Sequence, residues 1–210
     1  MAKAGKGSNF ERKICKQLST WWTENERDDI FWRTSQSGGR ATQRKKTGQG
    51  TANQYGDVQA TDPIGQPLIS LCAIEIKKGY KYHTFFDLID KLPSETKQPY
   101  LAFIRQAISQ QKAAKSFSYL LISSRDRKEP IITMPYKLYR LIRKEHLIPS
   151  NGISNCFPQI IMQFDLPESD FKQKVFITTL EQFFKNVNSK TIKKLWKKIK
   201  KTNELPEFSL

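Results

Sequence analysis

Histidine is close to absent from this chain: His83 and His146 are the two in 210 residues. A lone histidine is more often structural than catalytic, so a hydrolytic triad built on one is set aside. Cysteine is scarce as well. Cys15, Cys72 and Cys156 are odd in number and widely separated, which argues against a disulfide framework or a cysteine-based zinc site and reads as three reduced, structural thiols. A run of about eighteen apolar residues, the minimum for a membrane span, occurs nowhere. Met1 to Phe10 is rich in Lys and Gly without an apolar centre, so no signal peptide is read; a cytoplasmic protein with no membrane partner is expected. There is no Walker A sequence, and Gly48-Gln49-Gly50 lacks the third glycine of a dinucleotide loop, so no nucleotide cofactor is implied. Acidic residues are the last shortage: 20 Asp plus Glu face 36 Lys plus Arg, a formal charge of +16. A field of that sign draws a protein toward polyanions, and nucleic acid is the first partner to consider.

What remains is enough to fold. Hydrophobic residues at 38% and aromatics at 11%, spread along the chain, support one well-buried core. Ser8-Asn9-Phe10-Glu11 has the form of a capping box, and Phe10, Ile14, Leu18, Trp21 and Trp22 follow at helical spacing. Ile30 to Thr34 is β-prone, Ser35 to Tyr55 is a polar basic loop, and Gly56 to Thr61 reads as a strand. Asp62-Pro63-Ile64-Gly65 has turn chemistry, and the apolar run Leu68 to Lys77, bounded by Pro67 and Gly79, reads as the next strand. Helices are expected at Thr84–Leu92 and Pro99–Ala114, strands at Phe117–Ser123 and Ile131–Met134, then a helix through Leu138, Leu141 and Ile142. Further strands at Ile160–Phe164 and Val175–Thr178 precede helices around Glu181–Val187 and Ser189–Lys201, a mixed α/β plan.

Chemistry concentrates around two carboxylates. Asp57 opens one expected strand, and Glu75 lies near the end of the next, followed by Ile76 and Lys77. A strand sends alternate side chains to opposite faces, so Cys72, Ile74 and Ile76 share one face while Leu71, Ala73, Glu75 and Lys77 share the other. The turn at Asp62–Gly65 would make Asp57 and Glu75 neighbours across a hairpin. A carboxylate and an ammonium at the end of a mostly buried strand are costly unless each is paired or holds an ion, and a metal with a phosphate satisfies both. Plainer readings stand beside this one. Glu11 closes a capping box with or without a metal, Asp57 follows Gly56 in a turn, and Glu75 with Lys77 is a same-face ion pair worth under about 1 kcal/mol if exposed.

An acidic residue on the first helix, then Asp57, then Glu75-Ile76-Lys77, resembles the PD-(D/E)XK nuclease superfamily over about Ser8 to Ser123, with phage-type and junction-resolvase-like members the nearest in kind. Gly56 stands where the eponymous proline would be. The resemblance implies a restriction-endonuclease-like α/β core (helix, three-stranded antiparallel meander, helix, strand) in residues 1–146. Residues 147–210 then form an α+β extension ending in a basic amphipathic helix packed on that core. It further implies that Asp57, Glu75 and the Ile76 carbonyl hold Mg²⁺ or Mn²⁺, hard ions that prefer oxygen. Lys77 orients or deprotonates the attacking water, and Glu11 reaches the metal through water or holds Lys77. Gln106 and Gln110 lie on the helix after the motif, where some family members carry a polar residue; both also have a solvent-facing reading, and Gln106 is taken as the candidate. Cleavage leaving a 5′-phosphate, and a homodimer for two-strand cutting, follow from the same resemblance.

DNA contact is expected from Arg33, Lys78 and the loop cations Arg40, Arg44, Lys45 and Lys46 beside the site, through phosphates and without sequence information. The last helix carries an apolar stripe, Ile192, Leu195, Trp196 and Ile199, and offers Lys193, Lys194 and Lys197. A nucleic-acid phosphate, an anionic membrane surface or plain solvent are the three candidates for its basic face. The expectation is a metal-dependent DNA endonuclease, structure-specific or restriction-like. The competing class is a non-catalytic DNA- or RNA-binding protein in which the acidic residues are structural.

Overall fold

Phe10, Ile14, Leu18 and Trp22 bury one side of helix α1 (Lys6–Trp22) because they recur at the helical period. The computed structural model describes residues 6–34, 55–79, 84–90, 99–145, 159–166 and 169–202. Helix α1 begins two residues before the expected cap. Gly7 and Ser8 are already helical, whereas a capping residue needs extended backbone, so Glu11 falls in the second turn. Buried Ser19 donates to the Cys15 carbonyl (2.8 Å) and accepts the Phe31 N–H (2.9 Å), tying the helix to strand β1 (Phe31–Arg33). The fully buried Trp22 donates its indole N–H to the Ile64 carbonyl at 2.8 Å.

Strand β1 pairs antiparallel with β2 (Val58–Ala60), Arg33 opposite Val58. The expected hairpin from β2 into one long strand does not form. Instead Asp62 caps a 3₁₀ turn (Pro63–Gly65), and helix α2 (Gln66–Leu71) occupies the first half of the apolar run. Pro67 lies in the first turn of that helix, where its missing N–H leaves no bond broken. Leu68 and Leu71, three apart, both turn to the core. Strand β3 is therefore shorter, Cys72–Lys78. The anticipated three-stranded antiparallel meander is not formed: β1 and β2 make a separate ribbon that meets β3 at Asp57, whose N–H donates to the Ile74 carbonyl (2.8 Å) and whose carbonyl accepts the Thr34 N–H (3.0 Å).

After the short helix α3 (Asp87–Asp90), helix α4 (Pro99–Ala114) carries the chain to β4 (Ser118–Ser124), which pairs parallel to β3. Strand β5 (Ile131–Pro135), helix α5 (Tyr136–Glu145), strands β6 (Gln159–Leu166) and β7 (Ser169–Thr179), and helices α6 (Leu180–Asn186) and α7 (Ser189–Lys201) complete the chain order. The five-stranded sheet runs β3-β4-β5-β7-β6, with every pair after the first antiparallel. Its two faces have different covers. Cys72, Ile74 and Ile76 face a core shared with α1, α5 and α7 through Leu18, Leu138, Ile142, Ile192 and Leu195. Tyr119 and Leu121 of β4 face α4 through Tyr100, Phe103 and Ile104. Buried in the first of these cores, the Cys15 and Cys72 thiols are pushed up by desolvation, Cys15 to about 12, as suits structural rather than nucleophilic sulfur. Among the described residues no helix is long and apolar enough to cross a membrane.

Candidate active site

Gly56 lets the chain pass close against β3. Its φ is +75°, and a Cβ there would stand 2.6 Å from the Ile74 carbonyl oxygen. Proline, with φ fixed near −65°, has no access to that conformation. The tight passage seats Asp57 directly against β3. Its N–H bonds Ile74, and its Oδ2 accepts the Ile76 N–H at 2.8 Å, so backbone on both sides of Glu75 holds the Asp57 residue in place.

Glu75 projects from β3 toward α4 and is 1% exposed. Lys77, two residues on and on the same face, donates to Glu75 Oε1 at 2.5 Å with 16% of its side chain exposed. The aromatic ring of Phe103 lies 5.9 Å from the Lys77 ammonium. Gln106 donates its amide to the same Glu75 oxygen, and Gln110, one turn along α4, accepts the Gly56 N–H at 3.1 Å. Both glutamines thus reach the site rather than solvent alone, although a large part of Gln106 remains exposed. The missed signal for Gln110 is its spacing of four from Gln106, which puts the two on one helical face.

Two buried carboxylates this close perturb each other. Burial raises the Asp57 pKa first, and the Glu75 charge raises it further, to about 7; the Ile76 N–H and the Lys77 charge act in the opposite sense. Burial likewise raises Glu75, while Lys77 and a hydrogen bond with Asp57 pull it back. Glu11 adds a third negative charge that raises both. Its side chain accepts from Arg33 Nε at 2.8 Å. Beside Lys77 opens a cavity of about 100 Å³ lined in part by Phe85, Phe103, Ser123 and Arg125.

A family model described as "Phage putative PDDEXK endonuclease" matches residues 2–194. The chain belongs to that family. No curated protein and no solved structure matches it. PDDEXK nucleases generally use divalent metals, and the residues here fit one. Asp57 and Glu75 are hard oxygen donors in contact, buried, and carrying more negative charge than Lys77 alone offsets. Among the described residues no group of three or more His, Cys, Asp or Glu is placed to hold a metal ion.

The other PDDEXK candidates are dispersed. Arg33 lies at the site through Glu11, whereas Lys78 points to the opposite face of β3, 5.2 Å from the Phe10 ring, and donates to Ser124 Oγ and the Arg125 carbonyl. Arg40, Arg44, Lys45 and Lys46 fall outside the described residues. Helix α7 is not beside the carboxylates. Lys193 donates to the Trp22 carbonyl and packs over the Trp22 ring. Trp22 is eleven residues along α1 from Glu11, roughly 16 Å at 1.5 Å per residue. Lys194 pairs with Glu145, and Lys197 is exposed.

Proposed function

We propose that this chain is a DNA endonuclease that hydrolyses phosphodiester bonds with Mg²⁺ or Mn²⁺ held by Asp57, Glu75 and the Ile76 carbonyl. The observation that carries the proposal is the contact between two buried carboxylates with one lysine bonded to the second of them. A structural ion pair needs one carboxylate for one lysine; a second buried carboxylate at the same spot, once ionised, raises the energy of the folded chain unless a cation joins it. When bound, the divalent ion neutralises the scissile phosphate and lowers the pKa of the attacking water.

The side chains supply the rest. Asp57 is fixed by the Ile76 N–H, so its second oxygen is held without rotamer freedom. Gln106 and Lys77 both hold Glu75 Oε1, which sets the orientation of that carboxylate. The Lys77 ammonium, short of full burial and backed by Phe103, is the group that aligns the water and offsets charge growing on the phosphate. Gln110 keeps the Gly56 turn closed on Ile74 from the α4 side. Arg33, drawn in by Glu11, contributes positive charge at the entrance, in keeping with a phosphate-bearing substrate.

The test is cleavage of labelled linear duplex, single strand and four-way junction in Mg²⁺, Mn²⁺ or EDTA, with native protein and Asp57→Asn. Metal-dependent cutting by the native protein, lost in the variant, is the expected result, and the preferred substrate then defines structure specificity. Salt-sensitive binding by both proteins with no cutting of any substrate overturns the endonuclease in favour of a binding module.

A further inference from the structure

We propose that the groove between helix α5 and the start of β7 is a second nucleic-acid site that holds the phosphate backbone of a separate duplex arm. The groove has a volume of about 810 Å³, and five of its nine lining residues are cations: Lys137, Arg140, Lys144, Lys172 and Lys174. None is Asp or Glu. All five are exposed, and among the described residues none makes an ion pair. That separates them from the lysines of α7, where Lys190, Lys194 and Lys198 are each bonded to a carboxylate. It also separates this groove from one of similar volume beside α1, where Glu24, Asp28 and Glu181 offset Lys16 and Lys185. Basic character here is local, not a uniform consequence of the net charge.

Tyr136 is the aromatic residue of the lining, and further rings pack against it. Tyr139 stacks on Phe176 with ring centroids 3.8 Å apart, and Tyr136 lies against Tyr139. Lys174 is held 4.5 Å above the Tyr136 ring. Lys174, packed on a lining ring, loses little side-chain freedom when a phosphate arrives, and the exposed cations around it add charge, which favours a backbone ligand over solvent alone.

Position decides which backbone. Glu75 is opposite Leu121, Leu121 opposite Thr133, and Thr133 opposite Ile177. Three strand spacings of about 4.8 Å and three residues of about 3.3 Å back to Lys174 separate the groove from Glu75 by roughly 17 Å. The step back runs toward the β3 end that begins at Cys72, away from Lys77. Phe176, and with it Lys174, faces the α1–α5–α7 side of the sheet, whereas Glu75 faces α4. A straight duplex seated at Asp57 and Glu75 cannot lie along both. Bending a short, stiff duplex around the sheet costs energy that a branch avoids, so the occupant is a second arm of branched DNA.

The inference rests on DNA being the substrate, and its test is independent of cutting. Affinity is measured in EDTA for a four-way junction and for a linear duplex of equal total length, over a range of salt. The native protein is compared with Lys137→Glu/Arg140→Glu/Lys172→Glu/Lys174→Glu and with the milder all-Gln set. The native protein is expected to prefer the junction by roughly tenfold or more, and both variants to lose that preference. The salt slope for the junction should fall by up to about 0.9 per phosphate contact removed. Cutting of linear duplex at saturation should stay unchanged in a folded variant. An unaltered junction preference and slope in the all-Gln set overturns the groove, as does a native protein with no preference. A native protein that cuts nothing, yet loses junction binding in the variants, overturns the endonuclease and leaves the groove standing.

Discussion

Replacing Asp57 by Asn should stabilise the metal-free protein at pH 8 while abolishing its response to metal. Asn has nearly the volume of Asp, and its carbonyl oxygen can keep the bond from the Ile76 N–H. What changes is the buried charge beside Glu75. The carboxyl titrates ordinarily at 3.8 and in the folded chain at about 7. A raised folded pKa means that the native state binds the proton more tightly than the unfolded state. Stability from this group is therefore full below about pH 4 and falls as pH rises through 7. At ~1.4 kcal/mol per pH unit the loss is bounded by about 4 kcal/mol, and with the proton shared between two coupled carboxylates a working range is about 1–3 kcal/mol. For a chain of this size that corresponds to a Tm higher by roughly 3–10 °C in Asp57→Asn at pH 8. The gap should shrink steadily toward pH 4. Added Mn²⁺ or Mg²⁺ at about ten times its Kd should raise the native Tm by the equivalent of ~1.4 kcal/mol and leave the variant unmoved. Thermal unfolding followed by circular dichroism at pH 4, 6 and 8, with and without the ion, measures all of this. A variant less stable than native at pH 8, or one equally stabilised by metal, would refute the argument that an excess buried charge awaits a cation here.

Other outcomes follow from the same geometry. Lys77→Ala should reduce cutting by about 10²-fold or more with duplex affinity changed little, as measured by single-turnover kinetics, because the lost group acts on water and developing charge; full cleavage would end its assignment. Gly56→Ala should destabilise the fold by about 2 kcal/mol or more, read from urea denaturation, since a side chain at positive φ also meets the Ile74 carbonyl. Gln106→Ala should lower kcat modestly, by roughly threefold to tenfold, because Glu75 keeps its bond to Lys77 but loses the second restraint on its rotamer. An unchanged rate would make Gln106 a bystander.

Two long periodic segments were legible in the residues down to their ends. The spacing of Leu101, Ile104, Ile108 and Gln111 from Pro99 onward gives α4 the boundaries read from sequence, and the Ile192, Leu195, Trp196 and Ile199 stripe does the same for α7. The run Leu68–Lys77 was misread in its first half because four apolar residues suit a buried strand and a buried helix equally. Pro67 at a helix start was the local sign. Packing decided it: Leu68 and Leu71 join a core that contains Ile192 and Leu195, more than a hundred residues away.

The site divides the same way. Sequence alone determined which groups are present: Asp57, Glu75 and Lys77, their alternation on a strand, and a surplus of positive charge, because residue type and period are local properties. Only the tertiary structure decided how they meet. The close passage of Gly56 over Ile74 brings Asp57 to Glu75 without a hairpin, and α4 brings Gln106 and Gln110 to the same point. It also turned the lysines of α7 toward Trp22 and Glu145 and gathered five other cations into a groove beside α5, on the side of the sheet away from Glu75. Contacts between residues far apart in the chain depend on how layers pack, and no local pattern encodes the path by which distant segments come to lie side by side.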